Sequence, residues 1–316
     1  MRYRALGASG LVVSVVGLGG NNFGGRLGFE DTNAVVHAAL GAGITLIDTA
    51  DSYGNKGGSE EMLGRALKGR RHDVVLATKF GSDMAGSNGA DFSARASRRY
   101  VMRAVEASLR RLGTEWIDLY QLHRPDRVTP MEETLSVLDD LVRQGKVRYV
   151  GSSNLAAWEV ADADWTARER HLQRFVSAQN HYSLLHRAPE GELLAACVAH
   201  DVSLLAYFPL ESGLLTGKWR AGGQPPAGSR LAAGWGADQA TDANFEIIED
   251  LARLAAELGV TLVDLAVGGL AARPGVGSVI VGATRPEQVE ENARAGDFVP
   301  TPAQLDELDG VAPGQR

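Results

Sequence analysis

The chain has 316 residues, 44% of them hydrophobic and 22% charged, which is enough to bury a large core and ordinary for a soluble globular protein. A formal net charge of −7, with Lys and Arg scattered along the chain, argues against nucleic acid as the main partner. The lone cysteine, Cys197, excludes an intrachain disulfide, and no run reaches the roughly 20 apolar residues of a membrane span, so a cytoplasmic protein with no membrane partner is expected.

The opening MRYRALGASGLVVS lacks the long apolar stretch of a signal peptide and reads as a β-hairpin, with RYRAL and LVVS flanking the turn GASG. Strand-like and helix-like segments then alternate. The strand candidates are VVGLG (15–19), ITLID (44–48), VVLATK (74–79), DLYQLH (118–123), VRYVGSS (147–153), FVSAQ (175–179), VSLLAY (202–207) and SVIVGA (278–283). They are apolar and β-rich without clean alternation, as expected of parallel strands covered on both faces. Between them lie helical patterns such as SEEMLGRALKG, RRYVMRAVEASLRRLG and MEETLSVLDDLVRQG, several ending in Gly, the usual residue just past a helix C-terminus. Cys197 falls in one such apolar pattern, ELLAACVAH, and is expected in the core.

This alternation predicts an α/β fold, a (β/α)8 TIM barrel spanning 1–316 as a single domain, with an N-terminal β-hairpin. A doubly wound sheet competes, but GLGGNNFGG (17–25) places Asn22 where a dinucleotide fingerprint needs its third glycine. One long irregular segment rich in Gly, Pro and Ala (211–241) follows the seventh strand, where it would cover the C-terminal face.

Chemistry in such a barrel sits at the C-terminal ends of the strands. Asp48 ends the second strand, Tyr53 lies five residues on, Lys79 ends the third and His123 the fourth. Each alone has a bland reading: an Asp before a turn caps helices, and a Lys after a strand is usually a solvated charge. Together they make a set suited to carbonyl reduction. A phenol of ordinary pKa about 10 becomes a better acid beside an ammonium, and an imidazole nearby can hold a carbonyl oxygen. Ser153 and Asn154, Gln179 and Tyr207 follow in phase at the next three strand ends.

The stretches DTADSYGNKGGSEEMLGRAL, VVLATKFG, DLYQLHRPD, GKVRYVGSSN, SAQNHYSLLHR, LLAYFPLESGLLTGK and VIVGATRPEQVEEN carry a family resemblance along nearly the whole chain. They resemble the aldo-keto reductases, in particular the microbial branch that also includes the β-subunits of voltage-gated potassium channels. The resemblance implies that Tyr53 is the general acid, that Lys79 paired with Asp48 lowers its pKa, and that His123 orients the carbonyl. It also implies a nicotinamide cofactor, with Ser153, Asn154 and Gln179 on the carboxamide, Tyr207 stacked on the ring, and Gly213 and Leu214 at the pyrophosphate. Thr284, Arg285, Gln288, Glu291 and Asn292 would hold the adenosine end, aided by a helix N-terminus near Pro286.

Many family members place a Lys near position 282 and an Arg near 288 against a 2′-phosphate. Here Gly282 and Gln288 stand instead, while Arg285 and Arg230 could supply charge. NADP(H) is the expected cofactor, with NAD(H) open. No metal site is expected, since the seven His are scattered without ligand spacing. The substrate, a small-molecule carbonyl, would meet Asn22, Phe23, Phe80, Arg124 and Trp235. The readings are thus an NADP(H)-dependent reductase of aldehydes or ketones, an NAD(P)-dependent sugar or alcohol dehydrogenase with the same tetrad, or a cofactor-binding regulatory subunit.

Overall fold

The computed structural model describes residues 1–225, 228–234 and 236–314. The expected hairpin forms from β1 (Tyr3–Ala5) and β2 (Val12–Ser14), which pair antiparallel with Tyr3 opposite Ser14. The eight predicted barrel strands are all present, as β3 (Val16–Gly19), β4 (Leu46–Asp48), β5 (Val75–Phe80), β6 (Ile117–Leu122), β7 (Val147–Ser153), β8 (Ser177–His181), β9 (Ser203–Tyr207) and β10 (Val276–Gly282). They close into one parallel barrel in the order β3 through β10, with β10 returning to pair β3. The fold is therefore a (β/α)8 TIM barrel with an N-terminal β-hairpin.

Side-chain parity organises the barrel. Successive residues of a strand face opposite sides of the sheet. Leu46, Ala77, Leu119, Leu205 and Ile280 form an interior cluster, which Leu6, Leu11 and Val13 of the hairpin join from the N-terminal end. Their neighbours Ile47, Leu76, Tyr120, Leu204 and Val281 point the other way, into the larger core beneath the helices. The hairpin thus closes one end of the barrel and leaves the other for polar groups.

The outer layer comprises α1 (Phe29–Gly41), α2 (Tyr53–Ala66), α3 (Arg98–Leu112), α4 (Met131–Arg143), α5 (Ala157–Arg170), α6 (Leu193–Ala199), α7 (Asp242–Glu257), α8 (Leu262–Ala271), α9 (Pro286–Ala295) and α10 (Pro302–Val311). Gly113 ends α3 at φ 61°, the left-handed cap that the sequence pattern anticipates. Cys197 lies buried in α6, where burial pushes its thiol up to about 12. Among the described residues no single helix is long and apolar enough to cross a membrane.

The segment after β9 is irregular apart from 3₁₀ turns at Glu211–Thr216 and Ala237–Gln239. It crosses the C-terminal face, where Arg230 hydrogen-bonds Asn21 and Asn22 beyond β3 and Arg26 reaches back to the Gly228 carbonyl.

Candidate active site

Asp48 and Lys79 end adjacent strands with the same inward parity as Leu46 and Ala77, so both meet inside the mouth of the barrel. Lys79 Nζ donates to Asp48 Oδ2 at 2.6 Å, to the Thr49 carbonyl at 2.9 Å and to the Tyr53 hydroxyl at 3.3 Å. The other carboxylate oxygen, Asp48 Oδ1, accepts from Gln179 Nε2 at 2.8 Å and Gln121 Nε2 at 3.2 Å. Burial would push the Lys79 ammonium down, yet the facing Asp48 carboxylate and Tyr53 oxygen outweigh it and hold its pKa above the ordinary value. Lys79 is therefore charged although fully buried.

His123 follows β6 and completes the set. Its ring meets that of Tyr53 edge-on, with centroids 5.7 Å apart. Burial, then the Lys79 ammonium and the Arg124 guanidinium, hold the imidazole well below its ordinary range, so it is neutral at physiological pH. Its Nδ1 lies 2.9 Å from Ser82 Oγ.

Tyr53 is placed by an unusual chain path. Gly54, Asn55 and Lys56 all adopt left-handed φ between 60° and 71°, so α2 starts with a tight left-handed turn. Gly54 is required there: a Cβ would lie 2.4 Å from the Phe23 carbonyl oxygen. Ser59 ties the turn down, its Oγ donating to the Gly20 carbonyl at 2.8 Å and lying 2.7 Å from Thr49 Oγ1. Asp51, which lies between Asp48 and Tyr53 in the sequence, is fully buried and accepts from Asn88 Nδ2 at 3.1 Å. Burial, then the charge of Glu60, raise its pKa well above the carboxylate range.

The expected nicotinamide contacts form a second layer. Ser153 and Gln179 are paired across β7 and β8, and Ser153 Oγ donates to the Gln179 carbonyl at 2.7 Å. Gln179 uses its amide nitrogen on Asp48, and its side-chain oxygen has no donor among the described residues. Asn154, at φ 58°, donates to the His123 carbonyl at 3.0 Å and accepts from the Tyr207 hydroxyl at 2.8 Å. Tyr207 stacks on His181 at 5.5 Å, and His181 on His186 at 4.0 Å, while Glu211 holds His181 Nε2 at 2.7 Å.

The remaining cofactor candidates border the same face. Gly213 adopts φ 111°, and its N–H donates to the Leu210 carbonyl at 2.9 Å. The Leu214 side chain is buried. Thr284 donates from both N–H and hydroxyl to Gln288 Oε1, at 2.8 and 3.1 Å. Arg285 is exposed at the N-cap of α9, Glu291 is half-buried along the helix, and Asn292 is buried. Gly282 opens a polar cradle: a Cβ would lie 3.7 Å from Asn22 Nδ2 and 3.9 Å from both Arg230 Nη2 and Asn21 Oδ1. Among the described residues Arg230 has no carboxylate partner, and burial lowers its pKa. A guanidinium, amides and a side-chain-free glycine around one space fit a phosphate of a dinucleotide.

The substrate expectations divide. Asn22 lies at the mouth, its Nδ2 donating to the Ala283 carbonyl at 3.1 Å. Arg124 is exposed, and its charge bears on both His123 and Tyr207. Phe80 is corrected: one residue after the inward Lys79, it points outward and packs on Tyr120 with ring centroids 4.7 Å apart. Phe23 is also corrected, being fully buried in the core beneath the helices. Trp235 lies outside the described residues. A cavity of about 590 Å³ adjoins the site, lined by Asn154, Asn180, His186, Glu192, Leu193 and Tyr207 among others.

Residues missed in the sequence are Ser82, Gln121 and the His181–Glu211 pair. Parity would have found Gln121 and His181, which share the inward register of Leu119 and Gln179. Ser82 had no local signal, since its contact depends on the turn at Gly81.

The family model described as "Aldo/keto reductase family" matches residues 15–313. A probable voltage-gated potassium channel subunit beta from Arabidopsis thaliana is 35% identical, covering 98% of this chain and 96% of that protein. The versiconal hemiacetal acetate reductase of Aspergillus parasiticus is 33% identical over 100% of both chains. The L-glyceraldehyde 3-phosphate reductase of Escherichia coli K12 is 35% identical, covering 93% of this chain and 87% of that enzyme.

Proposed function

The chain belongs to the aldo/keto reductase family, and on that premise we propose that it is an NADP(H)-dependent oxidoreductase that reduces aldehydes or ketones to alcohols, with Tyr53 as general acid. One observation carries the reading: the Tyr53 hydroxyl lies 3.3 Å from a fully buried Lys79 ammonium that is itself fixed by Asp48 at 2.6 Å. When bound, the nicotinamide cofactor supplies the hydride. Tyr53 gives its proton to the carbonyl oxygen as the carbon is reduced, and the phenolate left behind faces the Lys79 charge. That charge cannot swing away, because the ammonium is fully buried and held by three oxygens.

Neutral His123 donates a hydrogen bond to the same carbonyl oxygen and aligns it with Tyr53. Asn154, Ser153 and the free oxygen of Gln179 would hold the carboxamide, and Tyr207 would lie under the ring. Arg230 and the Gly282 cradle would take a cofactor phosphate, and we assign them to the 2′-phosphate of NADP(H). Two of the three relatives described above are named as reductases, which supports the reductive direction.

The test is titration of the protein with NADPH and NADH by quenching of Trp fluorescence, followed by NADPH oxidation with a panel of small aldehydes and ketones. A preference for NADPH of a hundredfold, about 2.7 kcal/mol, together with turnover, is expected. Binding without turnover of any carbonyl would favour a regulatory subunit, and equal binding with alcohol oxidation a dehydrogenase.

A further inference from the structure

His123 makes one side-chain hydrogen bond among the described residues, and it is to a residue outside the tetrad. Its backbone N–H donates to the Phe80 carbonyl at 2.7 Å and its carbonyl accepts from Asn154, so the position of the residue is set by its main chain. The orientation and protonation of the ring are a separate matter. A neutral imidazole carries one proton on either nitrogen, and the partner of one nitrogen decides what the other presents. Here Nδ1 lies 2.9 Å from Ser82 Oγ, while the other ring nitrogen, Nε2, has no partner among the described residues.

Ser82 is built to stay there. It follows Gly81, which sits at φ 103° and turns the chain back over the end of β6; a Cβ at Gly81 would lie 3.2 Å from the Arg124 carbonyl oxygen and be strained by its φ. Past the turn, Met84 is buried, and Asn88, also buried, donates to Asp51 while accepting from Arg111 at 3.2 Å. The loop is thus pinned on both sides of Ser82. Among the described residues the Ser82 hydroxyl has no acceptor other than Nδ1.

We propose that Ser82 is a positioning residue that donates its hydroxyl proton to Nδ1 of His123, keeping the single imidazole proton on Nε2. His123 then meets the substrate oxygen as an N–H donor; with the proton on Nδ1 it would present a lone pair to that oxygen instead. The lowered pKa of His123 is consistent, because a ring that stays neutral has a tautomer to be chosen. This role rests on the carbonyl reduction proposed above, and it gives the loop after β5 a part in positioning His123.

The experiment compares wild type, Ser82→Ala and Ser82→Thr as full-length proteins. Long-range proton–nitrogen NMR of the His123 ring reads the tautomer without any substrate. Wild type and Ser82→Thr should show a protonated Nε2 and a bare Nδ1, and Ser82→Ala a mixture of tautomers. Loss of one neutral hydrogen bond should lower kcat of Ser82→Ala roughly fivefold to tenfold, with NADPH affinity and melting temperature unchanged and Ser82→Thr restoring the rate. A protonated Nδ1 in wild type overturns the proposal, as does a Ser82→Ala protein with wild-type tautomer and kcat. If wild type reduces no carbonyl, the reaction itself and Ser82's part in it fall, while the NMR result still decides who sets the tautomer.

Discussion

The Asp48 carboxylate and the Lys79 ammonium form an ion pair at 2.6 Å with side-chain exposures of 4% and 0%, above the apolar cluster that fills the barrel's interior. A buried pair is weak evidence for stability, but removing one partner strands the other charge at a cost of about 3–5 kcal/mol. Asp48 is also the hub on which Gln121 and Gln179 converge. Asp48→Asn is therefore expected to lower both the urea midpoint and kcat. A variant that unfolds at the wild-type urea concentration would show that the pair is not held as described.

Lys79→Met removes the charge facing the Tyr53 oxygen while keeping the side chain's bulk. We predict a fall in kcat of about two to four orders of magnitude, the usual range for a disabled general acid. Retention of the wild-type kcat and pH profile would remove Lys79 from the proton-transfer step.

For Tyr53→Phe the expected outcome is separation of binding from chemistry. The ring and its edge contact with His123 remain, and the proton donor is lost. NADPH affinity by fluorescence quenching should stay within about twofold, while carbonyl reduction disappears. Substantial turnover would assign the acid role elsewhere.

Arg230 reaches the Gly282 cradle from the loop after β9. A charge-assisted hydrogen bond is worth about 1.5–3 kcal/mol, so Arg230→Met should weaken NADPH roughly tenfold to a hundredfold. NADH should lose less if the contact is to the 2′-phosphate. Equal losses for both cofactors would place Arg230 on the pyrophosphate instead.

Asp51 makes a prediction about pH. Its folded pKa is raised by burial and by Glu60, so the folded state binds a proton that the unfolded state releases near pH 4. The stability linked to this proton is complete below the unfolded pKa and is lost as pH rises toward the folded one. Asp51→Asn, which carries no such proton, should gain stability relative to wild type as pH rises above the unfolded carboxylate pKa of about 4. A difference in melting temperature that does not change across that range would mean Asp51 is ionised in the fold.

The alternation of apolar runs with helical patterns, and the parity of each run, were enough to specify the barrel and to bring Asp48, Lys79, Gln179 and Tyr207 to one mouth. A parallel strand buried on both faces has few alternatives, and period-two geometry then dictates which residues point inward. The same rule places Phe80 outside, and applying it at that position would have avoided the mistaken substrate contact. Tyr53 was recognisable from its neighbours, although its placement depends on a left-handed turn that Gly54 alone cannot announce. Ser82 against His123, Asn88 on Asp51, and Arg230 over Gly282 were decided by tertiary structure. Each joins residues 37 to 52 positions apart that no local period relates, and loops have no repeating geometry from which a contact can be counted.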